Sequence, residues 1–307
     1  MIQINSSGSV LSNWIGDKGF FSSGKTVNIF SNPSKSDREQ NTFVDLSVMN
    51  RKRSESFNEV AEIYDAARPS YPSQLIEDVI EMANLPDSAS ILDIGTGTGN
   101  GTVPFAEKGY TICCLEPGER LIAIASQNMR LYPKVTFETV TLEDWNLRPK
   151  AFDLAISAQA FHWVNREKGY PKVAQALKEK GYVAFFWNFS ILPDTSIFKA
   201  LKETFKKYLP PTIYNAKSSS VESLIKKREN WILNSFCFQN LVVKQYPWSI
   251  NYDAEGYLDL LKTQTAYQEF TETEKQDLSD AIIQILNAHG GYVTKPYLSV
   301  LFFAQKI

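Results

Sequence analysis

The stretch Asp93-Ile94-Gly95-Thr96-Gly97-Thr98-Gly99 directly follows the strand-like run Ser90-Ile91-Leu92 and leads into a helical pattern, which leaves this chain few folds. Glycines at alternate positions let the backbone turn sharply and let a ligand approach it closely, because no side chain intervenes. A strand that opens into such a loop and then a helix belongs to an open α/β sheet, whose ligands bind beyond the carboxyl ends of the strands. Two loop chemistries fail here. A dinucleotide fold wants Gly-x-Gly-x-x-Gly/Ala, but the sixth position is Asn100 counted from Gly95 and Thr102 counted from Gly97. A phosphate loop would end in Gly-Lys-Ser/Thr, and none follows. Glu116 stands 21 positions past Gly95, at the end of the next apolar run, where a carboxylate can accept both hydroxyls of a ribose. Dinucleotide folds carry a similar acid, so Glu116 points to adenosine without choosing between cofactors.

Strand and helix patterns alternate around this loop. From Pro72 onward Leu75, Ile76, Val79, Ile80 and Met82 recur at helical spacing, and Pro86-Asp87 is expected to end that helix. Strands are expected at Ser90 to Ile94, Thr111 to Leu115, Val135 to Val140, Phe152 to Ser157 and Tyr182 to Trp187, with helices over 102–108, 119–128 and 168–178. Such alternation implies parallel crossovers and a sheet covered on both faces. After Asn188 the register changes. A helix over 196–208, a break at Pro210-Pro211, a strand at Leu241 to Tyr246 and helices over 254–263 and 274–288 are expected. The last helix has a capping box in Thr271-Glu272-Thr273-Glu274 and a stop in Gly290-Gly291. Tyr297 to Ala304 is apolar on both alternating faces and reads as a central strand.

Residues 1–50 are rich in Ser, Asn and Gly without a helical or strand period, and read as a poorly ordered leader. Met49 precedes the first patterned segment and reads as the physiological start. The cluster Arg51-Lys52-Arg53 reads as a solvated charge run. Across the chain, 32 Lys+Arg against 34 Asp+Glu leave a net charge of -2, which argues against a nucleic-acid or acidic-membrane partner. Three cysteines, two of them the adjacent Cys113 and Cys114 in an apolar run, fit a reducing compartment. No secretory signal or membrane-length apolar run occurs, so a soluble cytoplasmic protein is expected.

The motif Ile91-Leu92-Asp93-Ile94-Gly95-Thr96-Gly97-Thr98-Gly99 resembles the first motif of class I S-adenosylmethionine-dependent methyltransferases. Two further segments resemble a small-molecule subgroup that includes trans-aconitate methyltransferase-like proteins: Tyr64-Asp65-Ala66-Ala67-Arg68-Pro69-Ser70-Tyr71-Pro72, and Ser157-Ala158-Gln159-Ala160-Phe161-His162-Trp163. The resemblance covers about Phe57 to Gln305 and is weakest over 188–246. It implies a Rossmann-like α/β fold with a seven-stranded, mostly parallel sheet, an antiparallel last strand and a helical cap inserted before the sixth strand. A methyltransferase domain over 51–307 would then comprise a cofactor core over about 72–188, with strands near 241–246 and 297–304, and a substrate cap over about 189–237 and 250–290.

The same resemblance implies S-adenosyl-L-methionine as cofactor, lying on Gly95, Thr96, Gly97 and Gly99. Asp93 would organise its amino end, Glu116 with Pro117 would meet the ribose, and Thr141, Leu142 and Glu143 would meet the adenine. Ser157 and Gln159 would complete that site. Thr141 stands where many members have Asp. Substrate or lid residues would be Tyr64, Arg68 and Trp163.

Methyl transfer is an in-line displacement that depends mostly on positioning, so a carboxylate acceptor needs no base, while a hydroxyl or amine is helped by one. His162 therefore admits three readings: general base, substrate-orienting group or structural hydrogen bonder. Arg68 reads as the partner of a carboxylate, on the cofactor or the substrate, or as an exposed structural residue. Tyr64 reads as a cover over the cofactor or as packing. No metal cluster or acyl-transfer nucleophile is recognisable. The expected function is methyl transfer to a small organic acceptor at oxygen, of a carboxylate or hydroxyl, with nitrogen and carbon as the further options, by a monomer or homodimer; the rival is a non-catalytic S-adenosylmethionine-binding regulatory or scaffold protein.

Overall fold

A computed structural model of the chain describes residues 65, 67–208, 220–264, 267 and 270–307. The leader, Met49, Arg51-Lys52-Arg53 and Tyr64 lie outside the described residues. The chain runs α1 (Ser73–Ala83), β1 (Ser90–Ile94), α2 (Val103–Glu107), β2 (Thr111–Leu115), α3 (Glu119–Asn128), β3 (Val135–Glu138), β4 (Phe152–Ala158) and a single 3₁₀ turn (Phe161–Trp163). It continues as α4 (Arg166–Ala176), β5 (Leu177–Ser190), α5 (Ser196–Tyr208), α6 (Val221–Leu233), β6 (Phe238–Asp253), α7 (Ala254–Lys262), α8 (Glu272–Ala288) and β7 (Tyr292–Lys306).

The strands form one sheet in the order β3-β2-β1-β4-β5-β7-β6. Neighbours from β3 to β5 pair in parallel, and β7 runs antiparallel to β5 and β6 on either side of it. The buried run ending at Ala304 is thus a central strand, as its two apolar faces require. Leu75, Ile76 and Val79 of α1, Phe105 of α2 and Ala125 of α3 cover one face of the sheet. Tyr170 and Val173 of α4, Trp145, and Val221, Ile225 and Ile232 of α6 cover the other. A separate apolar cluster joins α5, α7 and α8 to Tyr252, Val293 and Tyr297. Within the region expected to form a cap, α5, α7 and α8 pack together, while α6 packs on the sheet.

Several boundaries differ from the sequence reading for local reasons. The first helix stops at Asn84, in left-handed conformation at φ 45°, before Pro86 is reached. α4 starts two residues before the expected Lys168, because the Asn165 side chain accepts from the Glu167 and Lys168 N–H groups. It ends at Ala176, where the Gln175 and Ala176 carbonyls accept the Lys150 and Ala151 N–H groups instead of continuing a helix. β6 extends well past Tyr246: Trp248, Ile250 and Tyr252 turn inward while Pro247, Ser249 and Asn251 are exposed. As an edge strand, β6 tolerates Pro247. The capping box forms as expected, with Thr271 and Glu274 bonded reciprocally.

Candidate functional site

The glycine loop is a fold-back at the carboxyl end of β1. Gly95 has φ +72°, and its N–H donates to the Leu115 carbonyl at 2.8 Å, which seats the loop on the end of β2. A Cβ at Gly95 would lie 2.3 Å from that of Ala160, so no other residue fits. Gly97 also has a left-handed φ, +60°, but a Cβ there would meet nothing within 4 Å. Its conformation demands glycine, and the space above it is open to a ligand.

Glu116 ties this loop to the next. Its Oε2 accepts the Gly97 N–H at 3.0 Å and its Oε1 accepts the Gly118 N–H at 2.9 Å. Burial pushes its carboxyl up to about 7; the two backbone donors oppose that rise and the charge of Asp93 adds to it. A carboxylate has about four lone-pair sites, so one remains on each oxygen. Pro117 is exposed beside it. Asp93 is turned inward: the Thr102 hydroxyl donates to its Oδ2 at 2.5 Å and the Thr96 hydroxyl at 3.0 Å, with only 1% of the residue exposed. Burial pushes its carboxyl up to about 6 against those two hydroxyls. In this geometry Asp93 and Thr96 brace the loop from below.

Beyond β3, the Thr141 hydroxyl donates to Asp144 Oδ2 at 2.9 Å and accepts the Asp144 N–H, which closes a local turn. Leu142 points its side chain into the core, leaving its backbone as the part a ring could meet. Glu143 Oε1 accepts the Asn165 N–H at 2.7 Å, so this segment is tied to the start of α4.

The segment after β4 divides in two. Ser157 is fully buried and donates to the Ile94 carbonyl at 2.7 Å. It stitches β4 to β1 and offers no surface to a cofactor, contrary to the expectation. Gln159, at φ 57°, is half-buried and clasps the backbone of Asn188: its Oε1 accepts the Asn188 N–H at 3.1 Å and its Nε2 donates to the Asn188 carbonyl at 3.3 Å. Asn188 in turn donates to the Ser70 carbonyl and accepts from Ser299. Sequence reading missed Asn188; its signal was its place as the first polar residue after the apolar run to Trp187.

His162 sits on the 3₁₀ turn, and its Nδ1 receives the Trp187 indole N–H at 3.2 Å. Indole only donates, so Nδ1 is the acceptor and the ring proton is assigned to Nε2. A histidine in that tautomer presents a donor at Nε2 and has no lone pair there to take a proton. Trp163 is half-buried beside it, at 4.8 Å between rings. Arg68 donates from Nη2 to the Thr263 carbonyl at 3.1 Å, which joins the segment before α1 to the end of α7. The structure therefore brings Gly95, Gly97, Glu116, Gln159, His162 and Trp163 to one edge of the sheet and sets Arg68 at the cap. Among the described residues no group of three His, Cys, Asp or Glu could hold a metal, and no helix is long and apolar enough to cross a membrane.

Residues 91–181 match the family model of the methyltransferase domain, Methyltransf_25. The "Probable S-adenosylmethionine-dependent methyltransferase CRG1" of Saccharomyces cerevisiae is 31% identical over 149 residues, 47% of this chain and 50% of that protein. An uncharacterized methyltransferase of Mycobacterium tuberculosis is 28% identical over 143 residues, 47% of this chain and 56% of its own length. This chain thus spans about half the length of the curated relatives it matches. Among solved structures, "a Putative Type II Methyltransferase from Anaeromyxobacter dehalogenans" shares the fold, with a TM-score of 0.57 and 19% identity over 78% of this chain and 97% of that one.

Proposed function

We propose that this chain, whose residues 91–181 form a class I S-adenosylmethionine-dependent methyltransferase domain, transfers a methyl group to an oxygen of a small organic acceptor held beneath the cap. The observation that carries the reading is Glu116 bonded to a glycine loop that departs from the dinucleotide pattern at Asn100. Its carboxylate, anchored by Gly97 and Gly118, keeps one acceptor site on each oxygen next to the open space over Gly97, which fits a ribose diol beside a close-lying ligand chain.

S-adenosylmethionine, when bound, supplies an electrophilic methyl group on a sulfonium. The chain supplies the rest by position. Glu116 with Pro117 would hold the ribose; Gly97 would let the cofactor lie against the backbone, with Gly95 and Gly99 packed on Ala160 and Met129 to hold the loop in shape; Thr141, the Leu142 backbone and Glu143 would border the adenine. Asp93 and Thr96 act on the cofactor through the loop they brace. Gln159 sets the spacing between the ends of β4 and β5 by holding Asn188. His162, with Nδ1 occupied by Trp187, orients the acceptor by donating from Nε2, and Trp163 borders the same space. An acceptor that arrives as a carboxylate needs no proton removed, and this geometry suits it better than one requiring a base.

Calorimetric titration with S-adenosylmethionine and S-adenosylhomocysteine, with NADH as control, tests the reading. Saturable binding of both sulfur ligands, weakened by Glu116→Ala, is expected. A folded chain that binds neither, or binds NADH instead, overturns it.

A further inference from the structure

The buried stripe of α6 reads Val221, Ile225, Arg228, Ile232: three aliphatic side chains and one cation, at the three- and four-residue spacing of a single helix face. An aliphatic residue at the third place would extend the apolar contact of that stripe with the sheet, whereas a guanidinium on a residue only 4% exposed is costly to desolvate. Its place in the stripe calls for a contact that an aliphatic side chain could not make.

Two rings of β5 supply that contact. Trp187 and Phe189, two residues apart on one face of the strand, have their ring centres 4.6 and 5.0 Å from the guanidinium carbon of Arg228. Both distances suit a cation over an aromatic face; indole is the stronger partner of the two, and exclusion of water strengthens the attraction. The helix that carries Arg228 is held to α4 close by, where the Arg166 guanidinium lies over the Trp231 ring at 4.6 Å. Trp187 directs its own N–H to Nδ1 of His162 at 3.2 Å. The torsion that turns an aromatic ring about its stem is broad, so an indole lying among apolar neighbours does not aim its N–H unaided. A flat cation over its face limits that turning, and by drawing on the ring electrons it makes the N–H a stronger donor.

We propose that Arg228 is a positioning residue: lying over the Trp187 ring, it holds the indole N–H on Nδ1 of His162 and so keeps the His162 proton on Nε2, where it orients the methyl acceptor. The role toward the acceptor rests on the methyltransferase reading; the relay from Arg228 through Trp187 to His162 does not. α6 belongs to the connection between β5 and β6, the stretch where the family resemblance is weakest. Through Arg228 that stretch acts on a histidine that stands in one of the shared motifs, without itself touching the acceptor. Lysine is no substitute there, since its compact ammonium cannot lie flat on two rings at once.

The chain has only two histidines, so nuclear magnetic resonance of the full chain, isotope-labelled at its histidine and indole nitrogens, reads the relay directly. His289 places Nδ1 at 2.8 Å from the Ile285 carbonyl and so carries its proton on Nδ1, opposite to His162; His289→Gln assigns the two rings. In the wild-type chain at pH 8 His162 should show the Nε2–H tautomer alone, with a slowly exchanging Trp187 indole proton. Arg228→Met, which keeps a long apolar stem, should give a mixture of tautomers at His162 and exchange of the Trp187 indole proton about 5- to 30-fold faster. The Trp231 indole proton, on the same helix, and calorimetric affinity for S-adenosylhomocysteine should not change. A single tautomer with slow exchange in Arg228→Met, or mixed tautomers already in the wild-type chain, overturns the relay. Faster exchange at Trp187 and Trp231 together means that α6 has loosened, and lost S-adenosylhomocysteine affinity means that Arg228 serves the cofactor; each overturns it as well. If the wild-type chain ignores S-adenosylhomocysteine, the cofactor reading fails while the tautomer and exchange results still decide the relay. Should Arg228→Met not fold, Arg228→Lys is read in its place, with the same changes expected to a smaller degree.

Discussion

The indole N–H of Trp187 points at Nδ1 of His162 across 3.2 Å, and that one bond selects what the histidine can do. A donor at Nε2 orients; it does not abstract. His162→Ala should therefore lower kcat/KM by about 10- to 100-fold, mainly through KM, with the first acid that turns over. A loss carried by kcat alone, with KM unchanged, would restore the general-base role. Trp187→Phe frees Nδ1 and should reproduce part of the KM effect.

The carboxyl of Glu116 titrates near 7 because it is buried, and it accepts ribose hydroxyls best when ionised. Its folded pKa lies above the ordinary 4.5, so proton uptake is favoured in the folded chain. Affinity for S-adenosylhomocysteine should be constant above pH about 7 and fall below it. The free chain should show the opposite trend in stability. The stabilising contribution of Glu116 is complete below the ordinary carboxylate range and is lost as pH rises through about 7. Calorimetry for affinity and urea unfolding for stability, each run from pH 5 to 9, check both halves.

Gly95 and Gly97 should respond differently to alanine. Gly95→Ala drives a Cβ to 2.3 Å from Ala160 and should unfold the loop region, with a large drop in Tm. Gly97→Ala meets open space and costs about 1–2 kcal/mol from its left-handed φ alone. Its cofactor affinity should nevertheless fall far more than its Tm. Equal effects on both quantities at Gly97 would mean that no ligand lies there.

Thr102 was not singled out in the sequence, yet its hydroxyl supports the buried carboxylate of Asp93. Thr102→Val should cost about 1.5–3 kcal/mol in urea unfolding at pH 8. The cost should shrink below pH about 6, where Asp93 takes up a proton and no longer needs the donor.

What the sequence made legible was local. The strand Ser90 to Ile94, its glycines and Glu116 announce themselves through apolar runs and residues whose backbone freedom or charge has few other uses. The ends of β6 were hidden because an edge strand alternates and Pro247 mimics a break. The inward turn of Ser157 and Asp93 could not be seen, since a serine or aspartate at a strand end reads the same whether it faces a ligand or a neighbouring strand. The Gln159–Asn188 clasp was the least legible. It forms only when the ends of β4 and β5 lie side by side, and no spacing in the chain records that meeting.

The pairing of β6 with β7 runs from Phe238↔Lys306 to Asp253↔Tyr292, and α7 and α8 lie in the connection between these two strands. The layer formed by α7 and α8 is thus cantilevered on a two-strand beam whose one irregularity, between Gln239 and Val242, lies at the end far from these helices. Such a beam has no joint beside α7 and α8: swinging them outward as one rigid flap would break ladder hydrogen bonds in the sheet itself. On the opposite side the stretch around Arg68 meets the same helices through the Arg68 bond to the Thr263 carbonyl and through Ala67, which is buried in their apolar cluster.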